Sequence, residues 1–378
     1  MKLLVVFGTR PEVIKLAPLI HEARQRPASF DLLVCSTGQH REMLDQAMRV
    51  FDLSADVDLG VMQPRQGLAE LTARLLQGLD QVLAAQRPDV VVVQGDTTSA
   101  FAAGLAAFYR HVPVAHVEAG LRTGDLASPF PEELNRVLLG RLARWHFAPT
   151  ERAARALRDE GVAGPRCVVT GNTVVDAIRL VRERWQTAAA PQPVDPPFPG
   201  RELVLVTAHR RENQGSALRH ICAAVRTLCA ENPQLGFVFP VHLSPQVRDI
   251  VFDELGGAIA NLKLCEPVDF ETNLRLQSRS RLIITDSGGI QEEAPSFGVP
   301  VVVTREHTER SEGIEAGFAT LAGTATQAIL DAARDWLRRA DAREQLAQRP
   351  NPYGDGHAAR RMLDLLLEAK AAPVRGDG

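Results

Sequence analysis

Short runs of aliphatic and β-branched residues alternate along the chain with longer stretches whose apolar positions recur every three or four residues. The first pattern fits buried strands and the second fits helices with one apolar side. In the amino half the predicted strands are Leu3 to Phe7, Leu32 to Ser36, Val90 to Val93, Val112 to Val117 and Cys167 to Val169, with helices such as Glu12 to Arg24 between them. In the carboxyl half they are Leu203 to Val206, Phe237 to Val241, Leu262 to Cys265, Leu282 to Thr285 and Val299 to Val303. This alternation predicts parallel sheets joined by helical crossovers, an α/β fold.

The 378 residues exceed one ordinary core, and at roughly 150 residues per domain they predict two. Between the halves, Thr187 to Gly200 carries Pro191, Pro193, Pro196, Pro197 and Pro199, which forbid helix and central strand alike and mark a loop near the junction. Asn172 to Trp185 reads as a bridging helix, so the covalent crossover is placed near Gly171. The expected division is 1–170 and 171–357, with a terminal helix in 358–378 completing the first domain.

Composition narrows the classes. With 45% hydrophobic and 24% charged residues the chain is an ordinary folded protein, and a formal charge of −3 gives no general attraction to nucleic acid or an anionic membrane. Cys35, Cys167, Cys222, Cys229 and Cys265 are odd in number and contain no CxxC pair. That argues against a disulfide framework or a structural zinc site and fits a cytoplasmic setting. No apolar run is long enough to span a bilayer, and Arg375-Gly376-Asp377 reads as part of a frayed end.

The chemistry gathers just past the ends of strands, where open parallel sheets bind ligands. Asp96, Glu118, His209, His242 and Ser287 all follow buried runs. Any one of them has an ordinary alternative, since Asp and Ser after a strand commonly cap the next helix; five together point to one ligand cleft. His116, inside a strand, reads instead as a packed core histidine.

Asp286-Ser287-Gly288-Gly289 joins a strand to a helix, where backbone N–H groups can meet phosphate oxygens, although glycines also serve simply as tight-turn residues. Glu293 stands about 1.7 helical turns beyond Ser287, suited to accept hydrogen bonds from sugar hydroxyls. Gly8-Thr9-Arg10-Pro11-Glu12 with Lys15 forms another such turn with two positive charges, fit for a diphosphate. There is no GxGxxG after the first strand and no P-loop.

Taken together, Gly8-Thr-Arg-Pro-Glu, Gln94-Gly-Asp-Thr, His116-Val-Glu-Ala-Gly-Leu-Arg-Thr-Gly, Pro129-Phe-Pro-Glu-Glu, His209-Arg-Arg-Glu-Asn and Asp286-Ser-Gly-Gly-Ile-Gln-Glu-Glu-Ala closely resemble the non-hydrolysing bacterial UDP-N-acetylglucosamine 2-epimerases. The resemblance runs through nearly the whole chain. It implies two Rossmann-like domains in a glycosyltransferase-B-like fold with the active site in the interdomain cleft, a homodimer, and a cytoplasmic role in cell-surface polysaccharide biosynthesis. The implied reaction interconverts UDP-GlcNAc and UDP-ManNAc. The C2 proton of the sugar is not adjacent to a carbonyl, and the chain lacks the nicotinamide fingerprint that transient oxidation would favour. The family route is loss of UDP across C1 and C2 to 2-acetamidoglucal, then re-addition with a proton on the other face.

That route needs acid–base groups near both faces of the sugar and cations for the departing diphosphate. By resemblance, Asp96, Glu118 and Glu132 handle protons and His209 lies near the diphosphate. Arg10, Lys15, His209, Ser287, Gly288, Gly289, Glu293 and Arg310 are implied to bind the UDP-sugar, with no metal and no cofactor. Bacterial members also carry an activating second UDP-GlcNAc, and the matching positions are Gln39, Arg65, Glu132, Arg210 and His242, with Glu42 in the same set standing where a Gln can occur.

Three departures bear on the substrate. Asn273 stands where Phe is common, Ala127 replaces a frequent aromatic residue, and Ser311 replaces the usual Pro after Thr-Glu-Arg. They point to one alternative, an epimerase of a modified UDP-sugar such as a diacetamido uronic acid; separate alternatives are a hydrolysing 2-epimerase and a UDP-sugar sensor without turnover.

Overall fold

The computed structural model describes residues 1–38, 41–63, 66–187 and 197–371. The proline-rich 188–196 and the Arg375-Gly376-Asp377 end lie outside the described residues. The chain divides into two compact units, one built from 1–183 and 353–378 and the other from 184–352.

The first unit holds seven strands: β1 (Lys2–Phe7), β2 (Asp31–Ser36), β3 (Val57–Asp58), β4 (Val90–Gln94), β5 (Val114–Val117), β6 (Trp145–Ala148) and β7 (Cys167–Val169). All paired strands are parallel, in the order β3-β2-β1-β4-β5-β6-β7. The second unit holds β8 (Leu203–Thr207), β9 (Gly236–Pro240), β10 (Leu262–Cys265), β11 (Ser280–Thr285), β12 (Val301–Val303) and β13 (Ala319–Leu321), again parallel, ordered β10-β9-β8-β11-β12-β13. Strand order reverses between β1 and β4 in one unit and between β8 and β11 in the other. In open α/β sheets such a switch point leaves a crevice outside the carboxyl ends of the strands.

Three strands escaped the sequence pattern. β3 pairs through only two residues at a sheet edge, β13 is three residues long, and β6 carries the buried His146 in the middle of its run. The expected strand from Val112 begins instead at Val114, because Pro113 has no N–H to donate, although its carbonyl still accepts from Val91 N at 3.0 Å.

Core residues in the first unit include Leu4, Val6, Val91 and Val93 from the sheet and Leu71, Leu75 and Leu79 from helix Leu68–Gln86. In the second they include Val204, Val206, Leu282 and Ile284 with Ile221, Val225 and Leu228 of helix Ser216–Glu231. All five cysteines are free thiols. Among the described residues no helix is long and apolar enough to cross a membrane.

The terminal helix Ala358–Ala371 returns to the first unit and packs on helix Arg10–Arg24. Ala359 N donates to Asp176 Oδ1 at 2.9 Å, in helix Thr173–Trp185, and Arg26 Nη1 meets Asp364 Oδ1 at 2.5 Å. Asn172 N donates to Tyr353 O at 2.7 Å where the outgoing and returning chain cross. Gly171 and Gly354 both have positive φ there, and a Cβ on Gly354 would come within 3.2 Å of the Gly171 Cα. Only glycine fits that crossing.

Candidate active site

In the first unit, helix Arg10–Arg24 starts directly after β1, and Glu12 turns back to close its amino end. Its Oε2 accepts from Gly8 N at 3.0 Å and from Thr9 N and Thr9 Oγ1 at 2.8 Å, while Oε1 accepts from Thr97 Oγ1 at 2.8 Å. The carboxyl therefore joins the turns after β1 and β4 across the switch point. Burial pushes its pKa up to about 7, against the hydrogen bonds from Thr97, Gly8 and Thr9 that favour the charged form. A Cβ on Gly8 would meet Thr37 Oγ1 at 2.2 Å and Ser99 Oγ at 2.4 Å, so the turn also requires glycine.

Asp96 follows β4 and is half-buried. Arg136 Nη2 lies 3.0 Å from its Oδ2, and Asn135 Nδ2 donates to its carbonyl at 2.9 Å. Both partners come from helix Glu132–Leu142, whose buried Glu133 also faces Arg136, 3.3 Å from Nε to Oε2. Glu133 Oε1 in turn accepts from Thr123 N at 2.9 Å and Gly124 N at 3.2 Å, fixing the carboxyl end of the His116 motif. Glu132 is half-buried at the first position of that helix.

Glu118 is held in the left-handed region at φ +62°. Its carboxylate accepts hydrogen bonds from Lys15 Nζ and Gln94 Nε2, and from Asn172 Nδ2 at 3.4 Å. The structure thus brings Asp96, Glu118 and Lys15 to the carboxyl edge of one sheet, with Lys15 partnered by Glu118; Arg10 stands half-buried at the first turn of its helix. His116 is buried, its Nε2 2.7 Å from Gly95 O, and burial lowers its pKa to about 3. It is a neutral core residue that braces the turn carrying Asp96.

In the second unit, His209 follows β8 and Asp286 follows β11, on either side of that sheet's switch point. Asp286 is fully buried. It accepts from His209 N at 3.0 Å, Arg210 N at 2.9 Å and Asn213 Nδ2 at 3.0 Å, and its Oδ1 lies 3.2 Å from His209 Nδ1. Burial opposes its charge, but the His209 side chain and the Arg210 and His209 amides outweigh burial and hold it below the usual carboxylate range. The His242 ring stacks beside His209, with centroids 6.0 Å apart. Burial and the neighbouring His209 lower the His242 pKa.

Ser287 caps helix Gly288–Glu293, its Oγ accepting from Ile290 N at 3.5 Å. Gly288 lets a guanidinium lie close: a Cβ there would meet Arg310 Cζ at 3.0 Å. Arg310 is held by Glu292 at 3.0 Å and Glu309 at 3.2 Å. Glu309 also pairs with the buried Arg305 at 3.0 Å; burial opposes its charge, yet Arg310 and Arg305 bring its pKa down to about 2. Glu293 is buried and accepts from Gln277 Nε2 at 2.5 Å, alongside Gly289. Burial and the charges of Arg305 and Arg310 lower the Arg210 pKa. Gln39, Arg65 and the side chain of Glu42 lie outside the described residues.

Each unit thus gathers its polar groups at the carboxyl ends of its strands: carboxylates with cations in the first, arginines, histidines and a glycine-rich helix start in the second. A family model described as UDP-N-acetylglucosamine 2-epimerase matches residues 21–367. The chain belongs to the UDP-N-acetylglucosamine 2-epimerase family. It is 50% identical over 366 residues to a probable UDP-N-acetylglucosamine 2-epimerase of Ralstonia solanacearum, covering 96% of this chain and 97% of that protein. With the Salmonella typhimurium UDP-N-acetylglucosamine 2-epimerase it shares 48% over 371 residues, 97% of this chain and 98% of the relative. Among solved structures, the Neisseria meningitidis UDP-GlcNAc 2-epimerase bound to UDP-GlcNAc superimposes with a TM-score of 0.90 at 44% identity, covering 97% of this chain and all of that one. The expected pair of Rossmann-like, glycosyltransferase-B-like domains is the fold this 2-epimerase family member has.

Sequence reasoning missed Arg136, Glu133, Asn172 and Asn213 as parts of these networks. Glu133 and Arg136 did carry a signal, an acid and a base three residues apart on a helix next to Glu132. Asn213 closes the His209-Arg-Arg-Glu-Asn motif, but its partner Asp286 is 73 residues away, and Asn172 had no signal, its partner Glu118 lying 54 residues away.

Proposed function

We propose that the protein interconverts UDP-GlcNAc and UDP-ManNAc by eliminating UDP across C1 and C2 and adding it back. The observation that carries this reading is the pairing of carboxylates with partly desolvated cations at the first unit's strand ends: Asp96 with Arg136 and Glu118 with Lys15. Elimination breaks the C1–O bond while a carboxylate takes the C2 proton; re-addition returns UDP to C1 as a proton reaches C2 from the opposite face. Asp96, Glu118 and Glu132 supply the acid–base groups. Ser287, Gly288, Gly289, Glu293 and Arg310 hold the uridine diphosphate, Arg10 and Lys15 contribute positive charge, and His209 attends the diphosphate. Arg210 and His242, with Glu132, are the described members of a second, activating UDP-GlcNAc site. The enzyme works in the cytoplasm as a homodimer.

The purified protein incubated with UDP-GlcNAc in deuterated water is expected to place deuterium at C2 of both epimers. Free ManNAc with UDP as the main stable product would make it a hydrolysing enzyme instead. The exposed Ala127 and the half-buried Asn273 favour one second reading, action on a modified UDP-sugar. A panel of C3- and C6-modified UDP-sugars separates the two by kcat/KM.

A further inference from the structure

Between β8 and β11 a buried carboxylate and a half-exposed imidazole face each other, and the carboxylate has no role in the reading above. Asp286 is 0% exposed, whereas the His209 side chain is 40% exposed. Apart from His209 Nδ1, all the donors given above for Asp286 are fixed: two backbone amides and the amide of Asn213, which also donates to Thr304 O at 2.9 Å. An ionised carboxylate only accepts hydrogen bonds. The imidazole nitrogen facing it must therefore carry the proton, which leaves Nε2 on the outer edge of the ring. Among the described residues, Asp286 and His242 are the ionisable groups seen against the ring. His242 Nδ1 accepts from Ser244 N at 3.1 Å, so that ring presents no proton at Nδ1.

We propose that Asp286 is a positioning residue for His209: it holds the imidazole in the Nδ1–H form and stabilises the imidazolium, so that Nε2 can give a proton to the departing diphosphate and take it back on return. This rests on the reading of His209 as the group beside the diphosphate. When the C1–O bond breaks, its electron pair stays on the β-phosphate oxygen, and the Nε2 proton moves onto that oxygen or is shared with it. When UDP returns to C1 the proton goes back to Nε2, so the ring is unchanged over the cycle. Asp286 touches neither sugar nor phosphate in this scheme and acts only through the ring.

The test compares D286N, H209Q and the double variant in the full-length protein. Asn at 286 keeps a carbonyl oxygen for the His209 and Arg210 amides but presents no anion to Nδ1. D286N is expected to lose kcat by on the order of 100-fold while KM and UDP affinity change little. The alkaline limb of its kcat–pH profile, which reports the proton donor, is expected to move to lower pH, and the double variant to be no slower than H209Q, since the two residues act as one unit. Proton–nitrogen correlation spectra of the wild-type imidazoles are expected to show His209 protonated at Nδ1, a readout that needs no variant to fold. A wild-type His209 protonated at Nε2 alone would overturn the inference, as would D286N keeping wild-type kcat while H209Q is impaired; that second result leaves the functional reading standing. Full activity of H209Q would instead remove His209 from the reaction, and this inference with it.

Discussion

Arg136 sets its Nη2 3.0 Å from Asp96 Oδ2 while its Nε faces Glu133 Oε2 at 3.3 Å. One buried guanidinium thus neutralises two carboxylates, one at the strand end and one that pins the neighbouring loop. R136M removes the cation that both acids share. Breaking a buried pair by removing one partner costs about 3 kcal/mol or more. R136M is expected to unfold at lower urea and to exchange C2 deuterium on the order of 100-fold more slowly, with R136K between it and the wild type; unchanged exchange would detach Arg136 from Asp96 function.

Lys15 and Glu118 form a second pair, with side chains 12% and 7% exposed. Their effects on stability should not add, because each single change strands the other charge. The K15M/E118Q double variant is expected to be more stable than the sum of the single losses by about 1 kcal/mol or more. Chemical denaturation of the four proteins measures this coupling, and strict additivity would show that the contact contributes nothing.

Asp96→Asn is expected to abolish deuterium exchange at C2 while UDP binding persists, because the nucleotide contacts proposed above lie mostly in the second unit. Calorimetric titration with UDP alongside the exchange assay checks both halves. An Asp96→Asn enzyme with wild-type turnover would take Asp96 out of the proton transfer.

Glu12 gives a pH dependence with a definite sign. Its pKa rises from the ordinary 4.5 to about 7 in the folded protein, chiefly through burial. Between these values the unfolded chain has released the proton while the native chain still holds it, so stability falls as pH rises through this window. The contribution is roughly 3 kcal/mol over the whole window. E12Q, which stays neutral, is expected to lose this slope; equal slopes for both proteins from denaturant midpoints at pH 4.5 to 7 would contradict it.

The alternation of apolar runs and amphipathic stretches was enough to predict two parallel α/β domains, and the strand-end positions of Asp96, Glu118, His209, His242 and Ser287 were legible from the same pattern. Period and run length report burial directly, so long central strands such as β1, β4 and β11 were plain. β3, β6 and β13 were not, because a two-residue edge pairing or a polar residue inside a buried strand leaves no periodic trace.

By itself the sequence determined the fold class, the six motifs and the chemical types available, since local propensity and residue identity are written in order along the chain. Only the tertiary structure decided which group faces which: Lys15 with Glu118, Arg136 with Asp96, Asp286 with His209, and Asp176 with Ala359. Those partners are 103, 40, 77 and, for Asp176 and Ala359, 183 positions apart. Pairings at such separations are set by strand order and crossover geometry, which no window of sequence contains.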